Sequence, residues 1–97
     1  MRVEFSLEAR DRLQEIDGYY NERSLQAAEF FLQEVEDWLK TISSYPETGI
    51  LYQKKFRLFP MNRFPYIIVC ESYHDYILIT TIVHKSRHPK FRTKRRK

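Results

Sequence analysis

The chain has 97 residues, enough for one small core, and its 42% hydrophobic and 15% aromatic content is too high for a disordered polymer. The formal charge of +4 hides a polarity: residues 1–50 hold five Lys/Arg against eleven Asp/Glu, and residues 51–97 hold twelve against two. A field of that shape can steer an anionic partner, nucleic acid or an acidic protein segment, or it can simply keep the chain soluble.

RVEF (2–5) is short and weakly alternating, which predicts a first strand. The opening MRVEFSLEAR carries acids where a secretory signal needs an apolar run, and no later apolar stretch is long enough to span a bilayer. A cytoplasmic chain with no membrane partner is therefore expected. Ser6 suits an N-cap, and Glu8 in the following turn favours the helix dipole. Ala9, Leu13, Ile16 and Tyr20 then place an apolar stripe on a first helix, whose last turn Gly18 weakens. NERS (21–24) reads as a short connection with Ser24 as the next cap, after which Ala28, Phe31, Val35, Trp38 and Ile42 repeat the helical spacing. Neither helix can bury its stripe alone, so the two form a hairpin lying on another layer.

SSYPETG ends the helical region: Pro46 cannot continue a helix, and Gly49 offers a positive φ for the turn. FRLF (56–59), FPYIIVC (64–70) and YILITTIV (76–83) then read as strands joined by PMN and ESYHD. The lone cysteine, Cys70, excludes an internal disulfide and sits in an apolar run as a core residue; no metal-ligand spacing or cofactor motif surrounds it. The order β-α-α-β-β-β gives a single α+β domain over 1–97, a helical hairpin on one face of a mainly antiparallel sheet, with KFRTKRRK (90–97) as a flexible basic tail.

Centring the hairpins near Met61 and Tyr73 pairs Arg57 with Pro65, Phe59 with Arg63, Tyr66 with Thr80 and Arg63 with Val83. Phe56, Leu58, Phe64, Tyr66, Ile68, Leu78 and Ile82 then face the helices. Arg57, Arg63 and Thr81 lie on the open face with Ile67, Val69, Ile77 and Ile79. In that register Arg57 and Arg63 converge with His84 and Arg87, and Lys54, Lys55, Lys85, Lys90 and Arg92 lengthen the cationic strip toward a nucleic-acid or protein target. Guanidinium groups clamp phosphate and a histidine moves protons near neutral pH, so the set fits RNA cleavage, with His84 for proton transfer and Arg57, Arg63 and Arg87 as the clamp. Strict alternation puts His84 on the helix-covered face, so that use requires the strand to end or bulge by Val83. The structural readings are a strand-end histidine at His84, a solvent-facing Arg57, a turn residue at His74 and an exposed His88 before Pro89.

YPETG, Arg57, RFPYIIVC and the final IVHKSRHP resemble the ParE/RelE superfamily of toxins from type II toxin-antitoxin (plasmid stabilisation) modules, where an R…FPY…HxxRxP pattern follows two helices. The likeness runs from the first helix through Pro89. It implies a small toxin neutralised by a cognate antitoxin, through an acidic or amphipathic segment, in a toxin-antitoxin hetero-oligomer. The ribonuclease branch, which cuts messenger RNA on the ribosome, carries a basic residue after the tyrosine of its central strand and a tyrosine or histidine near the C-terminus; Ile67 and Phe91 stand at those places here. The pattern is closer to the ParE branch, which implies growth inhibition by binding DNA gyrase, with no cofactor. A ribosome-dependent endoribonuclease and an inactive toxin-like scaffold are the other readings.

Overall fold

Arg2–Phe5 forms strand β1, Leu7–Arg23 helix α1 and Leu25–Ser44 helix α2 in the computed structural model, which describes residues 1–91. A 3₁₀ turn (Pro46–Thr48), strands β2 (Ile50–Tyr52), β3 (Phe56–Pro60), β4 (Tyr66–Ser72) and β5 (Tyr76–His84), and a second 3₁₀ turn (Lys85–Arg87) follow. The sheet order is β1-β5-β4-β3-β2, with β1 parallel to β5 and every other pair antiparallel. This is the α+β order read from the sequence with one further strand, β2. No helix among the described residues is long and apolar enough to cross a membrane.

The helices form where the stripes and caps place them. Ser6 Oγ accepts the Ala9 N–H at 2.9 Å, satisfying an otherwise orphaned donor. Ser24 is the entire connection between the helices: its N–H donates to the Tyr20 carbonyl at 2.7 Å, ending α1, and its Oγ accepts from Ala27 at 3.1 Å, starting α2. Asn21–Arg23 therefore belong to α1 and not to the loop. Ala9, Ile16, Ala28, Phe31, Val35 and Ile42 are buried, and most of them share a core with Phe59, Met61, Ile68, Cys70, Ile77, Ile79 and Ile82 of the sheet. Each such large side chain contributes about 1.5–3 kcal/mol relative to exposure. Burial pushes the Cys70 thiol up to about 12, as befits a packing residue.

Both hairpin registers differ from the sequence expectation. In the first, Arg57 pairs with Cys70 and Phe59 with Ile68, not with Pro65 and Arg63. The offset is an odd number of residues, so β3 is turned over: Phe59 faces the helices, while Phe56 and Leu58 join Ile67 and Val69 in a second, smaller core on the other face. The cause is the connection. Pro60 and Pro65 bound a wide loop, and α2 holds it: Glu34 accepts the Asn62 and Arg63 N–H groups and the Trp38 indole N–H.

In the second hairpin Tyr66 pairs with His84 and Val69 with Thr81, and beyond the bulge Cys70 pairs with Ile79. Thr80 is left over. Its carbonyl accepts the Ser6 hydroxyl at 2.8 Å, so the cap of α1 also fixes the bulge. The bulge reverses the upper half of β5, which sends Ile77 and Ile79 into the helix-covered core and takes Leu78 out of it.

Gly49 does not adopt a positive φ; its φ is −67°. Glycine is needed there for space, because a Cβ would stand 2.7 Å from the Phe59 ring and 2.9 Å from Arg57 Cβ. Positive φ occurs instead at Gln53 (54°) and Lys54 (64°), the central residues of the turn joining β2 to β3.

Candidate functional site

The end of β5 is where chemistry-bearing side chains meet. His84 pairs with Tyr66 across the sheet, their ring centroids 5.4 Å apart. The chain then enters the 3₁₀ turn, held by the Lys85 N–H donating to the Pro65 carbonyl at 2.8 Å. Against this corner α1 lays Arg12, Glu15, Ile16 and Tyr19, enclosing a cleft of about 410 Å³ that His84, Ser86, Arg87, Val83 and Tyr66 complete.

Strand alternation does carry His84 to the helix-covered side. It reaches a cleft nonetheless, because α1 brings its own wall to the sheet end. Two cations, Arg12 and Arg87, face one carboxylate there, and Glu15 stands 3.6 Å from Arg12 in an exposed pair worth little. Among the described residues no carboxylate lies within 4 Å of Arg87. Burial, with Tyr20 and Tyr19 beside it, pushes the Tyr66 phenol up to about 12, so it remains a neutral donor.

The histidine's protonation pattern follows from its bonds. His84 Nδ1 accepts the Ser86 N–H at 3.1 Å and lies 2.9 Å from Ser86 Oγ. A backbone N–H can only donate, so Nδ1 carries no proton and the neutral ring bears its hydrogen on Nε2. The ring thus presents a donor, and its basic nitrogen is already engaged.

The other predicted residues lie elsewhere. Arg57 donates to the Gly49 carbonyl at 3.1 Å and lines a groove with Glu47, Lys54, Lys55 and Glu71. Lys55 is paired there with Glu71 at 3.2 Å. Arg63 sits over the Phe30 ring, 5.1 Å from its centroid, in a groove with Glu34 and Asp37. Lys85 reaches the Met61 carbonyl at 3.3 Å, and the Lys90 N–H donates to His88 Nδ1 at 3.1 Å. Arg92 lies outside the described residues, as does most of the 90–97 segment. The convergence of Arg57 and Arg63 with His84 and Arg87 does not occur, because it depended on the register that the wide Glu34-held loop replaces.

His88 is also corrected: it is buried, with its ring 4.7 Å from Tyr52 and 6.0 Å from Phe91, closing the second core. Burial lowers its pKa. His74 is exposed in the β4–β5 turn, as read. The sequence reading missed Arg12, Tyr19 and Glu15. Their signal was position: each flanks the Ala9–Leu13–Ile16–Tyr20 stripe, where a helical side chain meets the rim of the sheet.

The family model described as "ParE toxin of type II toxin-antitoxin system, parDE" matches residues 3–89. A search of curated proteins found no match. Among solved structures the chain is similar to one titled "Chromosomal ParDE TA system from P. aeruginosa", with a TM-score of 0.74 and 17% identity over 87% of this chain and 95% of that one. At that identity the likeness is one of fold.

Proposed function

Because the chain belongs to the ParE toxin family of type II toxin-antitoxin systems, we propose that it inhibits growth by binding a target such as DNA gyrase, without cutting RNA, and that a cognate antitoxin neutralises it. The observation that favours binding over cleavage is the state of His84. A ribonuclease of this architecture needs a base to take the 2′-hydroxyl proton, and His84 Nδ1 is committed to the Ser86 N–H. The clamp is also incomplete, since Arg57 and Arg63 line other grooves.

The antitoxin is expected to present an acidic or amphipathic segment to the basic half of the chain, so that added salt slows association more than dissociation. The function is tested by adding the purified protein to a gyrase supercoiling reaction and, in parallel, to a translating extract. Loss of supercoiling with intact transcripts is the expected result. Transcript cleavage that disappears in His84→Ala would replace this reading with the ribonuclease.

A further inference from the structure

We infer that the cleft between α1 and the end of β5 is a binding site for a single-stranded nucleic acid, holding one phosphodiester between Arg12 and Arg87 with a neighbouring base against Tyr19. The donors come from four separate elements. Arg12 rises from α1, Arg87 from the 3₁₀ turn, and the Nε2–H of His84 and the hydroxyl of Tyr66 from the paired ends of β5 and β4. Guanidinium forks match the two non-bridging oxygens of a phosphodiester, and a neutral imidazole fixed as a donor adds a further hydrogen bond without adding a base.

Acidic peptide would satisfy the same cations, but two features favour nucleic acid. A carboxylate offers two oxygens to a set of four donors, whereas a phosphodiester adds its ester and sugar oxygens. The cleft wall is also aromatic: Tyr19 is 49% exposed, with Tyr20 edge-on to it at 5.2 Å and the Arg23 guanidinium 3.7 Å from its ring centre. A ring kept half in water and braced in this way is a platform for an unpaired base, and an acidic side chain gains nothing from it. The cleft volume of about 410 Å³ leaves room for a nucleotide-sized group.

The inference rests on the reading of His84 as a donor and not a base, and it can fail separately from the gyrase proposal because its test contains no gyrase. The full chain is titrated against fluorescein-labelled oligothymidylate and oligouridylate, each about twelve nucleotides long to span one site, with polyglutamate of equal charge as competitor. Saturable binding is expected. Arg12→Ala/Arg87→Ala should weaken it tenfold or more and lower the magnitude of the log–log salt slope by about 0.7, the value for one phosphate contact on a single strand. Tyr19→Ala should weaken it about fivefold or more through lost stacking. Arg10→Gln/Lys40→Gln, which removes the same charge from exposed helix positions outside the cleft, should change affinity less than threefold. Preference for thymidylate or uridylate would show which sugar the site takes; either supports the site. The inference is overturned by absence of binding, by equal losses in the two double variants, or by polyglutamate competing as well as the oligonucleotides do.

Discussion

Removing the Glu34 carboxylate should destabilise the fold more than any other change at a polar side chain. Glu34 lies on α2, is 8% exposed, and accepts three donors: the Trp38 indole at 2.9 Å, the Arg63 N–H at 3.0 Å and the Asn62 N–H. Two of these are backbone groups of the β3–β4 loop with no strand partner. Glu34→Ala leaves all three unpaired, at about 1–3 kcal/mol for each donor that water cannot reach. The loop edge is open to water at Asn62 and Arg63, so a total near 3 kcal/mol is expected, and about 1–2 kcal/mol for Glu34→Gln, which keeps one acceptor. In urea the larger loss should lower the midpoint by about 1–3 M at unchanged m.

Acid provides an independent reading of the same carboxylate. Burial alone would raise its pKa above the ordinary 4.5, but the Asn62, Trp38 and Arg63 N–H donors and the Arg63 charge outweigh it and hold the pKa down. The stabilisation is therefore complete above about 4.3, where the unfolded side chain titrates, and is lost as pH falls through the lower native value. Glu34→Gln should flatten that acid limb. A Glu34→Ala loss below about 0.5 kcal/mol with unchanged m would refute the account of the loop, since it would mean the amides find water at no cost.

Three other outcomes follow from local geometry. Gly49→Ala should cost about 1–3 kcal/mol in thermal or urea unfolding, because the new methyl meets Phe59 and Arg57 with the backbone itself unstrained; a neutral result would show that the Phe59 ring can move aside. Gln53→Asn/Lys54→Gly should stabilise by about 1 kcal/mol in the same assays, since both positions have positive φ and Asn-Gly is the pair such turns prefer. His88 has a pKa lowered by burial, so the unfolded chain takes up its proton first, near 6.5, and stability falls as pH drops from there through the lower native value. His88→Asn should remove that slope, and an identical pH profile in the variant would exclude His88 as its origin.

Periodicity and caps made the helices legible: the stripes from Ala9 to Tyr20 and from Ala28 to Ile42, with Ser6 and Ser24, carry their information within a few residues. The sheet was less so, because its register depends on distant partners. The β3–β4 loop takes its width from Glu34, 28 residues before Asn62, and the bulge at Thr80 is tied to Ser6, 74 residues earlier. Each odd offset exchanged the two faces of a strand, which misplaced Arg57 and Leu78 together. His88 looked exposed among charges, yet Phe91 and Tyr52 enclose it. The site was half legible: HxxRxP marked His84 and Arg87, but its opposite wall, with Arg12, comes from the acidic half, to which the run of basic residues does not point.

The parallel seating of Arg2–Phe5 beside Tyr76–Ile79 bears on when the cleft can form during synthesis. β1 leaves the ribosome long before its partner strand is made, so during synthesis it remains an unmatched strand, and non-local pairing of this kind forms late. Arg12 is translated well before His84 and Arg87, and no chain that stops short of Arg87 holds all three. A chain stopped before β5 therefore carries one wall of the cleft without the other, and the cleft cannot assemble on it.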